Sequence, residues 1–451
     1  MPDQNGESMA KNQSLSPPQI VVLGFLIVIL IGTILLSLPQ ATASGKSQPL
    51  VDALFTATSA VCVTGLIVHD TGGYFSLFGQ IVILLLIQIG GLGYMTMATF
   101  LLLLIGKTIT LKERLIMQES MPQFSLGGVV QFAKHVLKIT LVLEVIGAVI
   151  LSLRWMGQYP VSRAIYLGIF HAVSAFCNAG FSLFSDSLRG FRGDMVICLT
   201  VLSLFFIGGL GYVVVSDLYY LRHRKFPQFS VHTKMVLSIT LTLIVLGGVG
   251  FFLLEYKNPL TLGGLSGREK IMASLFQTMT PRTAGFSVVN VGGMMQGSLF
   301  LTIILMFIGA SPGGTGGGIK TTTFGVMLAT VWATLKGKKD VTLFKRRISG
   351  EVINKSFVVG FLSIFFIVII TVIITSSESY SFIRAFFETM SAFGTVGLST
   401  GITSGLSSLG KTLLIVTMFV GRLGPLTIGV AMMREVKDLR FRYPEKRVLV
   451  G

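Results

Sequence analysis

Charged residues are scarce in this chain of 451 residues: Asp, Glu, Lys and Arg make up 12% of it, whereas hydrophobic residues make up 52%. Soluble globular domains carry about 25% charged residues. The composition therefore excludes an ordinary soluble domain, and the mean hydropathy of +0.78 is typical of a helical protein with many membrane spans. Acids are scarcer than bases, 19 against 36, which gives a formal net charge of +17.

Cysteine is also scarce, and the N-terminal residues lack the pattern of a cleaved signal peptide. The three cysteines, Cys62, Cys177 and Cys198, are odd in number, form no CxxC pair and lie in apolar surroundings. We predict that they are packing residues rather than a disulfide or zinc set. Residues 1–16 are polar and lack the basic, apolar and small-residue order of a signal peptide. The first apolar run is therefore expected to stay in the mature protein.

The basic residues are concentrated in a few segments. Most of them lie in 1–17, 106–138, 219–235, 334–356 and 434–451. These segments share one side of the membrane in the topology derived below, and a basic excess of this kind marks the cytoplasmic side. We therefore predict a multi-pass plasma-membrane protein with both termini in the cytoplasm and no nucleic-acid partner.

The strongest basic run, 337–351, has two open interpretations. It is either a loop that faces membrane lipid headgroups or a docking surface for a cytosolic partner. The apolar end of the chain, 448–451, is likewise open between a contact and a disordered end.

Apolar runs long enough to cross a bilayer, about 20 residues each, recur along the chain. A further run, 299–335, is broken at 309–318, where one proline and six glycines oppose helix formation. Shorter apolar segments between alternate runs are interpreted as re-entrant. The uninterrupted runs are 18–38, 80–105, 136–153, 195–218, 235–254, 357–374 and 412–433.

Four of the short segments resemble one another, each with a phenylalanine near its start and a glycine near its end. The separation between the two is equal in three copies and one residue shorter in the third. The run Ile-Gly-Gly-Leu-Gly-Tyr at 89–94 also recurs at 207–212. The four segments are 54–66, 169–181, 275–286 and 386–398.

The chain thus consists of span, short helix, glycine loop and span, four times over. Two spans return the chain to its starting side, so the repeats are parallel and can surround one axis. We predict an all-α polytopic membrane protein with four parallel helix–pore-helix–helix repeats, that is, eight spanning helices and four re-entrant pore helices around one central pore. The predicted boundaries are 1–17 for the N-terminal tail, 18–106, 107–222, 223–336 and 337–434 for the repeats, and 435–451 for the C-terminal tail.

The four glycine loops are the predicted functional site. Non-helical backbone at bilayer depth is tolerated where it lines a cavity, and inward carbonyls can replace the hydration shell of a monovalent cation. Glycine permits the torsions that this needs, and each short helix directs its negative dipole end toward the cation. The loops contain no carboxylate, which argues against an acidic-ring filter for divalent cations. The predicted filter residues are Cys62, Val63, Thr64, Gly65, Cys177, Asn178, Ala179, Gly180, Arg282, Thr283, Ala284, Gly285, Gly394, Thr395, Val396 and Gly397.

The four copies, the glycine-rich break and Arg422 in the last span together resemble the Trk/Ktr/HKT superfamily of potassium transporters, most closely the membrane subunits of its bacterial Ktr branch. The resemblance covers the chain from Gln19 onward. It implies a homodimer with one pore per protomer and a cytosolic nucleotide-binding regulatory ring as the gating partner. It also implies K+ at the filter carbonyls, with Na+ as a candidate activator and no organic cofactor.

Within this family a glycine in all four loops accompanies potassium selectivity, and Gly65 places the sequence in that group. Only the fourth loop keeps Thr-Val-Gly, the run typical of potassium filters, whereas Asn178 and Arg282 break the fourfold sameness. We therefore expect fewer strong ion sites than in a symmetric channel.

The break at 309–318 would cross the axis below the filter, and the resemblance implies that it is an intramembrane gating loop. Arg422 at bilayer depth would raise a barrier to cations, although a snorkelling or salt-bridged structural role stays open. Lys320 is open between a gate charge and a cytoplasm-facing residue. The predicted gate residues are Gly309, Ser311, Pro312, Gly313, Gly314, Thr315, Gly316, Gly317, Gly318, Lys320 and Arg422.

Two other functions fit parts of the sequence. A cation-coupled symporter with alternating access would also use broken helices, but such folds usually carry inverted repeats. The segment 309–313 matches the G-x-S-x-G elbow of serine hydrolases, which needs a strand before it and a histidine partner; only His171 lies in an apolar segment. The phosphate-loop pattern at 313–321 fails because Ile319 precedes Lys320. We predict a transporter and not an enzyme.

Several carboxylates lie in apolar surroundings. Glu144 and Asp217 are expected to pair with nearby basic residues. Asp52 and Glu388 are expected near the starts of short helices, where a negative charge suits the helix dipole.

Overall fold

The computed structural model describes residues 16–93, 128–221 and 229–432. Most of the two terminal tails and much of the basic loops 106–138 and 219–235 lie outside these residues. The helices are α1 (Pro17–Ser37), α2 (Leu50–Val61), α3 (Thr71–Tyr74), α4 (Leu77–Leu92), α5 (Gly128–Trp155), α6 (Val161–Phe176), α7 (Met195–Leu210), α8 (Tyr212–Leu221), α9 (Val231–Glu255), α10 (Gly267–Met279), α11 (Gln296–Phe307), α12 (Thr321–Leu335), α13 (Gly350–Ser377), α14 (Phe382–Phe393), α15 (Ser408–Leu423) and α16 (Pro425–Met432).

Within the described ranges almost all of the regular secondary structure is helical. Four helices of this part of the chain, α1, α5, α9 and α13, are long and apolar enough to cross a membrane, and the number rises to six if each of two bent helix pairs is counted as one span. These helices expose many apolar side chains, such as Ile34, Leu246 and Phe361, as is expected where lipid rather than water is the solvent. The eight-span arrangement stays a prediction, as do the repeat boundaries.

A small hairpin departs from the all-α expectation. Its strands β1 (Thr342–Leu343) and β2 (Arg346–Arg347) are antiparallel and lie within the basic run 337–351. Asp340 accepts from Arg347 Nε at 2.9 Å, so part of the basic charge is paired within the hairpin.

The short helices α2, α6, α10 and α14 lie in the interior, in agreement with their repeated sequence. The phenylalanine shared by the four copies is fully buried in each, at Phe55, Phe170, Phe276 and Phe387. Burying one such side chain stabilises a fold by about 1.5–3 kcal/mol. The repeated phenylalanine thus anchors each short helix at the same point of its sequence.

The runs 195–218 and 412–433 are not uninterrupted helices. α7 and α8 meet at a bend of 102°, and α15 and α16 meet at a bend of 92°. Gly211 (φ 88°) and Gly424 (φ 87°) occupy the bends, and Gly93 at the end of α4 has a similar φ of 78°. Glycine adopts these torsions readily, whereas other residues do not. Where the sequence indicated one broken span, the structure also breaks the second and fourth repeats.

The predicted break in the third repeat separates α11 from α12. The residues between them form an irregular loop, 308–320, which we call the central loop. Its two ends lie side by side, because Ile308 and Ile319 form a parallel bridge and Gly309 N–H donates to Ile319 O at 2.9 Å.

Candidate ion-conduction site

The four glycine loops share one backbone conformation. In each loop the residue two positions before the conserved glycine is left-handed although it is not glycine, a conformation that costs about 1–3 kcal/mol per residue. The glycine itself also has a positive φ, between 69° and 89°. The non-glycine residues are Val63 (φ 56°), Asn178 (φ 58°), Thr283 (φ 77°) and Thr395 (φ 49°).

A hydroxyl side chain near the end of each short helix fixes the loop. In the first and fourth loops, Gly65 N–H donates to Ser59 Oγ and Gly397 N–H donates to Ser391 Oγ, both at 3.1 Å. In the second and third loops, Ser174 Oγ donates to Phe181 O at 2.7 Å and Thr280 Oγ1 donates to Phe286 O at 2.6 Å. These four residues were missing from the predicted site. The signal was present, since a hydroxyl recurs six residues before the glycine in three copies and five before it in the third.

The third loop is one residue shorter than the others, and a shorter backbone hydrogen-bond span compensates for this. Ala179 N–H donates to Ser174 O, five residues back, and the first and fourth loops do the same. In the third loop Ala284 N–H donates to Thr280 O, four residues back, at 2.9 Å. The shorter copy therefore presents its glycine in the same way.

The conserved glycines form a closed ring, which we call the glycine ring (Gly65, Gly180, Gly285 and Gly397). A Cβ atom on any of them would run into the next loop, and the series returns to its start. From Gly65 it would overlap Ala179 O, from Gly180 it would lie 2.7 Å from Gly285 Cα, from Gly285 2.6 Å from Val396 O, and from Gly397 it would overlap Thr64 O. Glycine is thus required at each position both by its torsion and by the close approach of the neighbouring backbone.

A cavity of about 300 Å³ opens on one side of the glycine ring. All four ring glycines line it, together with polar residues that follow them in sequence, such as Ser182, Ser287 and Ser399. The charged residues Asp186 and Arg189 lie in its wall. We call this cavity the vestibule.

The central loop packs against the glycine loops on the other side of the ring. Gly317 N–H donates to Thr395 Oγ1 at 2.9 Å, and a Cβ atom on Gly316 would overlap the Thr283 side chain. Thr283 Oγ1 in turn lies 3.1 Å from the Asn178 amide. The left-handed residues of three of the glycine loops therefore lie at or next to the contact with the central loop.

The central loop is tied by backbone hydrogen bonds to helices from two other repeats. Its anchor points are the ends of α7 and α15, just before the glycine bends, and the first residue of α8, just after one. Ser311 N–H donates to Gly209 O, Thr315 N–H to Gly208 O, Tyr212 N–H to Gly313 O, and Gly318 N–H to Gly421 O, at 3.0–3.3 Å. The bends thus provide the backbone groups that satisfy the irregular loop. Pro312 lies at the same place, with its carbonyl oxygen against Gly211.

Two cationic side chains hold the central loop. Arg422, in the last turn of α15, donates to Thr315 O of the loop and to Gly90 O at the end of α4. Lys320 Nζ donates to Gly316 O at 2.7 Å. Both charges therefore contact the central loop itself, and Lys320 does not extend away from it.

Some predicted residues lie elsewhere or act differently. The Arg282 guanidinium donates to Thr321 Oγ1 at 3.3 Å, at the start of α12, so its side chain is directed to the base of the central loop. Ser311 Oγ lies 3.4 Å from Thr321 Oγ1, and helix α11 rather than a strand precedes it. The context of a hydrolase elbow is therefore not present at Ser311.

Two buried carboxylates differ from expectation, and a third agrees with it. Glu388 lies in the middle of α14, not at its start, and accepts four hydrogen bonds from the segment after the fourth loop. Glu144 contacts the Gln88 amide at 3.3 Å and Cys177 Sγ at 3.8 Å, and it forms no ion pair with a base among the described residues. Asp52 lies in the first turn of α2, as expected, and its carboxylate also accepts from Lys411 Nζ on another helix at 2.8 Å.

Comparison with known proteins shows the family to which the chain belongs. A family profile described as TrkH, cation transport protein, matches residues 7–438. The chain is 45% identical to Ktr system potassium uptake protein B of Bacillus subtilis, covering 97% of both proteins. It is 41% identical to the protein of that name from Vibrio alginolyticus, covering 96% of this chain and 95% of the relative. It is also 36% identical to the potassium/sodium uptake protein NtpJ of Enterococcus hirae, covering 97% and 98%.

Among solved structures, the potassium transporter TrkH from Vibrio parahaemolyticus has a similar fold. The TM-score is 0.71, with 21% identity over 94% of this chain and 86% of that one. Together with the sequence relatives, which are transporters and not enzymes, this confirms the family resemblance. The chain belongs to the TrkH family of cation transport proteins.

Proposed function

We propose that this protein takes up potassium ions through the centre of the glycine ring. The observation that carries the proposal is the closure of the ring, in which each glycine packs against the next loop and the fourth against the first. The names of the relatives from Bacillus subtilis and Vibrio alginolyticus, both potassium uptake proteins, support the choice of ion.

The four loops act as a selectivity filter. Their backbone carbonyls replace water around a dehydrated monovalent cation, and the short helices end at the loops, so that the negative ends of their dipoles stabilise it. The vestibule supplies ions from one side. Because the loops contain no carboxylate, the field at the ring favours a monovalent over a divalent cation.

The central loop acts as the gate. It lies on the far side of the ring from the vestibule, and the side chains of Arg422 and Lys320 donate hydrogen bonds to its carbonyl oxygens there. Conduction requires this loop to leave the axis, which breaks its hydrogen bonds to α7 and α15. A cytosolic nucleotide-binding ring that pulls on the flanking helices would supply that free energy.

The remaining features of the proposal follow the family resemblance. The protein is a homodimer with one conduction path per protomer, it lies in the plasma membrane with both termini in the cytoplasm, and sodium is a candidate activator. The eight spans form four parallel repeats around the path, with four re-entrant helices supporting the filter.

Serine substitutions in the glycine ring test the filter. Gly65→Ser and Gly397→Ser add a side chain where the neighbouring loop leaves no room, so we expect the preference for potassium over sodium to fall by about tenfold or more, which corresponds to about 1.4 kcal/mol. The measurement is uptake of each ion into cells that lack other potassium uptake systems.

Gly45→Ser is the matched control. Gly45 also has a left-handed backbone, with φ 70°, but a Cβ atom there meets nothing within 4 Å. This variant carries similar backbone strain away from the ring and should keep its ion preference. Unchanged preference in both ring variants would refute the filter assignment.

The bent helices are also compatible with a symporter, since discontinuous helices bind substrate in many symporters. The two functions differ in coupling. In liposomes that contain the purified protein, the reversal potential should follow the potassium gradient alone; a reversal potential that also follows the sodium gradient would favour the symporter.

A further inference from the structure

One position behind the glycine loops is equivalent in all four repeats, but its side chain forms a hydrogen bond to the loop in only some of them. The residue that follows the buried phenylalanine in each short helix is Thr56, His171, Gln277 or Glu388. In the second repeat, His171 Nε2 lies 3.1 Å from Ser182 Oγ, two residues after the ring glycine. In the fourth repeat, Glu388 Oε1 accepts from Ser399 Oγ at 2.7 Å, again two residues after the glycine.

Glu388 makes the most extensive of these contacts. Besides Ser399, it accepts from Thr400 N–H at 2.8 Å, from Thr400 Oγ1 at 3.1 Å and from Thr403 Oγ1 at 2.8 Å. Its side chain is fully buried. A carboxylate with several donors of this kind keeps its hydrogen-bonding capacity satisfied without water, so it can remain in the interior as an anion.

All four donors to Glu388 are neutral hydroxyl or amide groups. These contacts therefore leave its negative charge uncancelled, in contrast to Asp52, whose carboxylate meets Lys411 Nζ at 2.8 Å. The segment that Glu388 holds also lines the vestibule, through Ser399 and Thr400. The charge thus lies behind the wall of the path by which cations reach the ring.

The other two repeats lack an equivalent contact. Thr56 Oγ1 donates to Asp52 O within its own helix, and its partner position in the loop is Ile67. The buried Gln277 amide has no hydrogen-bond partner among the described residues. Support of the filter is therefore strongest in the fourth repeat, the one that carries Thr-Val-Gly.

We propose that Glu388 is a positioning residue of the ion path: it holds the segment 399–403 at the outer end of the filter and supplies a fixed negative charge that raises cation affinity there. This inference rests on the proposed potassium uptake. Glu388 thus makes two contributions, positioning and charge. A glutamine at this position separates them, because it keeps the shape of the side chain and removes the charge.

The test compares Glu388→Gln with the unmodified protein in liposomes that contain purified full-length protein. The glutamine carbonyl oxygen still accepts from Thr400 N–H, so the segment keeps its main backbone contact. We expect the potassium concentration for half-maximal flux to rise by about tenfold, as loss of a charged hydrogen-bond acceptor predicts, with a smaller change in maximal flux. An unchanged half-maximal concentration would overturn the proposal.

Thr403→Val separates positioning from charge and guards against a misfolded glutamine variant. It removes one donor and leaves the carboxylate, so a shift in the same direction but about threefold in size is expected. If Glu388→Gln does not accumulate in the membrane, Thr403→Val decides by the same measurement, and no shift would overturn the proposal.

Thr56→Val is the matched control, because it changes the equivalent position in the first repeat, where the side chain bonds only within its helix. Its half-maximal concentration should stay unchanged, and a shift as large as that of Glu388→Gln would contradict the proposal. The ring variants keep the two hypotheses apart. If Gly397→Ser loses ion preference while Glu388→Gln behaves normally, only the role of Glu388 fails; if Gly397→Ser keeps its preference, the filter itself fails.

Discussion

At the scale of single residues, Thr395 connects two parts of the site. Its backbone belongs to the fourth glycine loop, and its hydroxyl accepts from Gly317 N–H of the central loop. This hydroxyl oxygen therefore joins the fourth glycine loop to the central loop.

Replacing Thr395 by valine should weaken closure. Valine already occupies the equivalent position in the first loop, at Val63 with φ 56°, so the backbone accommodates it. The variant leaves Gly317 N–H without its partner, at a cost of about 1–3 kcal/mol for a buried donor. We expect potassium leak through the purified protein without any cytosolic partner to rise by about tenfold.

Thr395→Ser is the conservative counterpart, since it keeps the hydroxyl. Its leak should equal that of the unmodified protein. Equal leak in the valine and serine variants would show that the hydrogen bond does not hold the central loop closed.

At the scale of elements, the glycine bends decide where helices end. Gly211 and Gly424 adopt torsions that an alanine reaches only with strain. We expect Gly211→Ala and Gly424→Ala each to destabilise the protein by about 1–3 kcal/mol, measured as a lower midpoint of thermal unfolding in detergent.

Gly429→Ala is the control for these variants. Gly429 lies in α16 with no positive φ and nothing within 4 Å of an added Cβ atom, and alanine is the better helix former. Its midpoint should stay the same or rise. A similar loss in all three variants would rule out the torsional explanation.

The sequence predicted the elements that depend on pattern. Hydropathy and the repeated phenylalanine located the short helices, and the glycine count located the central loop. The bends at Gly211 and Gly424 were not predicted, because the hydropathy of a run does not depend on its backbone torsions. Their signal was the recurrence of Gly-x-Leu-Gly before Tyr212 and Pro425, which marks torsion rather than polarity.

The contacts of the site were less accessible from the sequence. Arg422 was identified as costly at bilayer depth, yet its acceptor Gly90 O is a backbone atom 332 residues away. Any residue can present a carbonyl oxygen, so no side-chain pattern identifies such a partner. For the same reason the sequence predicts Glu388 near a helix start and not its observed contacts. Its hydrogen-bond donors lie in a loop whose path depends on the whole fold.

At the scale of the whole molecule, the first and fourth repeats are joined by an ion pair. Lys411 at the start of α15 donates to Asp52 in α2 at 2.8 Å, and His69 lies 3.1 Å from the other carboxylate oxygen. The two charged residues are 359 positions apart in sequence and mostly buried. The pair therefore links the first repeat of the chain to the fourth.

A double-mutant cycle with Asp52→Ala and Lys411→Ala should show this coupling. Because the pair is shielded from water, we expect an interaction free energy of about 1–3 kcal/mol in thermal unfolding. The exposed pair Glu351–Lys355 is the control and should give about 0.5 kcal/mol or less. Equal interaction free energies for the two pairs would mean that the buried pair Asp52–Lys411 does not stabilise the contact between the first and fourth repeats.

The glycine ring is built from one chain, and this has a genetic consequence. In an assembly of four identical subunits, one codon change alters the ring four times at once. Here each quarter is encoded separately, and the equivalent positions Val63, Asn178, Thr283 and Thr395 carry three different residue types. Selection can therefore adjust ion preference in single, graded steps while the other three quarters keep the path intact.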